Sequence, residues 1–101
     1  MSIVNEIYGE IETLRGMLTA LMVNWPDLRP RMEPAISKVD AVLSNPSDQT
    51  IHFLIEDMLD MNEFFIDVLY MIQDEHLDKN IRQTMSLTNR LLGPEERVGL
   101  H

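Results

Sequence analysis

The stretch SDQTIHFLIEDMLDMNEFFIDVLYMIQDEHLDKNIRQTMSLTNRLL, Ser47 to Leu92, contains neither glycine nor proline and decides the fold. Ile51, Leu54, Ile55, Met58, Leu59, Phe65, Val68, Leu69 and Ile72 mark a wide apolar face along its first part. Leu77, Ile81, Met85, Thr88 and Leu92 continue at helical spacing, whereas a strand would alternate polar and apolar residues. One unbroken helix of that length would be a rod of about 69 Å. A domain of this size has a radius of gyration of about 13 Å, so the rod would protrude far beyond it. The polar residues around Leu77 therefore predict a break near His76 to Asp78, with Asp78 capping a further helix. A continuous helix held in a dimer is the alternative.

Toward the N-terminus, Ile3, Ile7, Ile11, Leu14, Leu18, Leu21 and Trp25 recur at spacings of 4, 4, 3, 4, 3 and 4. This predicts an amphipathic helix over 2–24, with Ser2 as its N-cap and Pro26 as its stop. Pro26, Pro30 and Pro34 follow at four-residue intervals. A proline inside a helix costs about 3 kcal/mol, which predicts an irregular or 3₁₀ connection there. The next helix is placed over 34–43, with Pro34 in its first turn. Asn45 or Ser47 then caps a helix over 47–76, and a last one over 78–92 ends at Gly93-Pro94. The expected fold is all-α, a small bundle of three to four helices in one domain over 1–92, dimeric, with a mobile tail over 93–101.

Charge and composition narrow the function classes. The chain has 101 residues, 8 Lys plus Arg against 17 Asp plus Glu, a net charge of −9 and no cysteine. A nucleic-acid or anionic-membrane binder needs a basic face, so neither partner is expected. Absent cysteine removes disulfides, thiolate metal sites and cysteine nucleophiles. The first residues have no positive start before an apolar run, and no stretch reaches the roughly 20 apolar residues of a membrane span. A cytoplasmic protein is the expectation. Residues 45–80 hold nine acids and one base, and Glu56, Asp60, Glu63, Asp67 and Asp74 line one strip of the third helix.

Chemistry finds little support in these residues. His52 and Glu56 are four apart and share a helical face, but neither Glu-x-x-His nor His-Glu-x-x-His occurs, so no metal is expected. No phosphate loop, nucleophile elbow or dinucleotide fingerprint is present, and no cofactor or catalytic residue is assigned. An enzyme is not expected.

Two strips point instead to other proteins. Gly9, Thr13, Gly16 and Ala20, at spacings of 4, 3 and 4, line a small-residue seam on the first helix. Such a strip admits a close backbone, either from another helix of the same chain or from a second copy in a homodimer. On the third helix Phe53, Phe64 and Met71 fall together opposite the core, among Asp57, Asp60 and Glu75, and with Asp57, Asp60 and Asp67 they form the expected partner-binding set. Exposed apolar patches often mark contact sites, and nearby carboxylates attract a basic partner surface. The expected role is a small acidic regulator that inhibits or sequesters a partner protein by occlusion, antiactivator-like or immunity-like. The rivals are a DNA mimic that blocks a nucleic-acid-binding protein, a secretion chaperone and a helical metalloprotein.

Overall fold

Four helices follow one another along the chain: α1 over Ile3–Asn24, α2 over Arg29–Ser44, α3 over Asp48–Met71 and α4 over Glu75–Glu96. A single 3₁₀ turn, Pro26–Leu28, joins the first two. The computed structural model describes residues 3–96, with side chains from 8 to 92, and no strand occurs among them. Ser2, expected as the first N-cap, and the tail beyond Glu96 lie outside the described residues. The radius of gyration is 13.3 Å and the extents are 41 × 30 × 22 Å.

The helices stand as a ring. α1 packs on α2 and α4, α3 packs on the same two neighbours, and α1 and α3 stand diagonally opposite, their backbones separated by the shared core. Leu14, Leu18 and Leu21 of α1, Met32 and Val39 of α2, Met61 and Phe65 of α3 and Ile81 of α4 are all fully buried between them. Each such side chain contributes about 1.5–3 kcal/mol by leaving water.

Helix α2 begins at Arg29 and not at Pro34, which corrects the expected connection. Pro26, Pro30 and Pro34 form a column on the exposed side of this segment. The carbonyl of Pro26 accepts from the Arg29 N–H, so Pro30 leaves nothing orphaned below it. Pro34 lies inside the helix and frees one solvent-side carbonyl, which water can satisfy. Leu28, Met32, Ala35 and Ile36 on the opposite side are buried, and their packing offsets that local cost.

The break between α3 and α4 is real but lies earlier than expected, at Ile72–Asp74. Asp74, not Asp78, is the cap: its Oδ1 accepts from the backbone N–H of His76 at 2.9 Å and of Leu77 at 3.1 Å. Its Oδ2 accepts from Trp25 Nε1 at 3.4 Å, tying the end of α1 to this turn. Ser47 caps α3 through a reciprocal pair with Thr50, whose N–H donates to Ser47 Oγ at 3.1 Å. At the far end α4 continues through Gly93-Pro94 to Glu96. The residue before a proline is driven from helical geometry partly by its Cβ, and Gly93 has none.

The Asp74 carboxyl lies below its ordinary range, chiefly because the Leu77 N–H bonds its charged form, with Trp25 and His76 assisting against partial desolvation. A group with a depressed folded pKa adds stability that is present above its unfolded pKa and vanishes as pH falls through the folded value. The stability advantage of the native chain over Asp74→Asn is therefore expected above about pH 4 and lost on further acidification. Urea midpoints of the two proteins measured across that range check it; a constant difference would refute the assignment.

Polar groups fix how α3 sits on α4. Asn62 Nδ2 donates to Asn89 Oδ1 at 3.2 Å, and the buried Thr88 hydroxyl lies 3.2 Å from Asn62 Oδ1 and 2.8 Å from the Met85 carbonyl. A slide of either helix by one turn would bury these groups unpaired, so the network selects one register.

Candidate functional site

Eight large hydrophobic residues are prominently exposed among the described residues, and seven of them lie on α3 or at its C-terminal end: Ile51, Phe53, Leu59, Ile66, Tyr70, Met71 and Ile72. The cause is the ring packing. A helix with two neighbours hides one arc of its surface, and the apolar arc of α3 is wider than that. Ile51, Leu59 and Ile72, counted toward the core from their spacing, are accordingly 38–40% exposed.

The three expected docking residues share one flank of α3, beside α2. Phe53 is 49% exposed and Met71 80% exposed. Phe64 is half-buried, packed on the core with its ring 5.9 Å from that of Phe65. A second stripe, Leu59, Ile66 and Tyr70 at spacings of 7 and 4, runs along the opposite flank, beside α4. Sequence reasoning missed it. The signal was available, since Ile66 and Tyr70 fall outside the arc centred on Leu54, Met61 and Phe65. Between the stripes stand Glu56, Asp60, Glu63 and Asp67, all exposed, so the face reads apolar, acidic, apolar across the helix.

Asp57 does not belong to this face, which corrects its assignment as a partner-binding residue. It is 7% exposed and points to α2. Arg31 Nη2 donates to its Oδ1 at 3.0 Å and to its backbone carbonyl at 3.3 Å, Arg31 Nη1 reaches Oδ2 at 3.4 Å, and Lys38 Nζ reaches Oδ1 at 3.2 Å. A carboxylate here is neutralised from both sides and clamps α3 to α2.

The small-residue seam of α1 is open. Gly9, Thr13, Gly16 and Ala20 are exposed, and a Cβ added at Gly9 or Gly16 would meet nothing within 4 Å. Among the described residues no other helix crosses there, which leaves a close crossing within the described chain without support. Val23, 66% exposed, extends the strip by a further three residues. Replacing Gly16 with Ala is expected to raise stability by about 1 kcal/mol, because alanine gains helix propensity and meets no obstacle. Thermal or urea unfolding at low protein concentration checks it, and a destabilised variant would show that something packs on this glycine.

His52 Nε2 lies 2.9 Å from Glu56 Oε1 on the exposed surface, an ordinary pair one turn apart. No cluster of three or more potential metal-binding side chains occurs among the described residues. Among the described residues no helix is long and apolar enough to cross a membrane. Comparison with protein-family models, with curated proteins and with solved structures finds no match. The surface itself therefore carries the functional argument.

Proposed function

We propose that the chain is a non-catalytic regulator that binds another protein through α3 and blocks it by occlusion, as an antiactivator or immunity protein does. The observation that supports this reading is the concentration of exposed large apolar side chains on α3, six of them, with Ile72 at its C-cap, beside a carboxylate ridge. Apolar side chains supply the affinity of such a contact, and the charges orient the approach of a basic surface. Self-association through the open seam of α1 completes the proposal, because like-charged α3 ridges repel each other and leave α1 as the suitable face for a second copy.

The test is a photoreactive amino acid placed at Phe53 in the producing cell. A discrete adduct with one protein is expected, weakened when Asp60 and Asp67 are both changed to Lys; no adduct from Phe53 or Met71 would overturn the reading. Complex formation that collapses steeply between low and moderate salt, with no loss on Phe53→Asp, would favour a phosphate-mimicking inhibitor instead. Sedimentation is expected to show a dimer that Gly16→Leu disrupts, and a monomer at all concentrations would remove the self-association.

A further inference from the structure

We propose that the partner is held at the turn between α3 and α4, and that it presents an amphipathic segment with Lys or Arg beside apolar side chains. This rests on the regulator reading and names the chemistry of the partner. Both apolar stripes of α3 end at this turn, Met71 on the flank beside α2 and Tyr70 on the flank beside α4, and Tyr70 is 83%, Met71 80% and Ile72 40% exposed. The α4-side stripe borders the depressions here. Two shallow depressions meet there at Leu69. One, of ≈ 250 Å³, is lined by Ile66, Leu69, Tyr70 and Arg82. The other, of ≈ 260 Å³, adds Ile72, Gln73, Asp74, Glu75 and Asp78 around the same Leu69.

The result is a groove with an apolar floor at one end and a carboxylate rim at the other. Its one lining cation, Arg82, is engaged by Asp78, with Nε 2.6 Å from Oδ1. Asp74 is occupied as the helix cap and by Trp25. The rim keeps an excess of negative charge, with Glu75 exposed upon it. Apolar side chains fit the floor and a neighbouring cation fits the rim. A second copy of the chain would bring the same acid excess to the contact and meet like charge, so a basic partner is the favoured occupant.

Trp25, the chain's single tryptophan, is bonded to Asp74 of this turn and reports on it. The experiment titrates the full chain with a synthetic amphipathic helical peptide of leucine and lysine, and with its leucine and glutamate counterpart, while following Trp25 fluorescence and the sedimenting mass. The lysine peptide is expected to give a saturable change with one peptide per chain, weakened roughly tenfold by Tyr70→Glu and by Glu75→Lys. Tyr70 is so exposed that its replacement leaves the fold intact, which an unchanged urea midpoint verifies. No saturable change, equal responses to both peptides, native binding by Tyr70→Glu, or a response that tracks dimerisation of the chain would each overturn the proposal. A Phe53 adduct that forms in cells while the peptide fails removes this inference alone; absence of both removes the regulator reading as well.

Discussion

Asp57→Ala is expected to lower the unfolding free energy by about 2–3 kcal/mol, read as a reduced urea midpoint with an unchanged slope. The loss arises because Arg31 and Lys38 are left facing a site built for a carboxylate. Breaking a fully buried pair costs about 3–5 kcal/mol. The Arg31 side chain is 23% exposed and that of Lys38 44%, so both can turn partly to water and the effect is smaller. Changing all three residues together to apolar ones of similar volume is expected to recover much of the loss, since no charge is then stranded. A triple variant as unstable as the single one would show that the clamp contributes net stability beyond compensating its own burial.

Phe65→Ala is expected to cost about 3–5 kcal/mol, the largest effect of any single truncation in the chain. Phe65 is fully buried and the most voluminous of the enclosed side chains. It lies in the C-terminal half of α3, and the surrounding leucines and methionines cannot collapse wholly into the space it leaves. A domain of this size holds about 5–15 kcal/mol in total, so the variant approaches the threshold of folding. Calorimetry is expected to show a large fall in the transition temperature, and a small one would mean that the core refills the cavity. Phe64→Ala, one residue away but half-buried, is expected to cost clearly less. That contrast separates the core face from the docking face of the same helix.

The helical class, α1, and the need for a break within Ser47–Leu92 were legible because they rest on periodicity and length, both local quantities. The position of the break was not. Asp74 and Asp78 are equally good caps in isolation, and the Trp25 contact that favours Asp74 comes from a residue distant in the chain. The identity of Asp57 was hidden by one earlier error. With Arg31 placed in an irregular connection, its alignment with Lys38 two turns later on one helical face could not be seen. Once α2 starts at Arg29 the two cations stand in register and claim Asp57. Leu59 and Ile72 were assigned inward because hydropathy records what a residue prefers and not how many neighbours its helix has. The exposure of Phe53 and Met71 was readable, since both fall outside the arc centred on Leu54, Met61 and Phe65; their place beside α2, where Phe64 reaches the core, was not.

The corner-to-corner placement of α1 and α3 makes their outward faces sterically blind to each other. A molecule seated on one leaves the other clear, so nothing in the geometry forces a choice between them. Two copies joined back to back through α1 would hold their α3 ridges pointing apart, as a two-headed ligand. Against a target that itself carries paired sites, the second engagement becomes intramolecular, and modest single-site affinity is multiplied without any new contact.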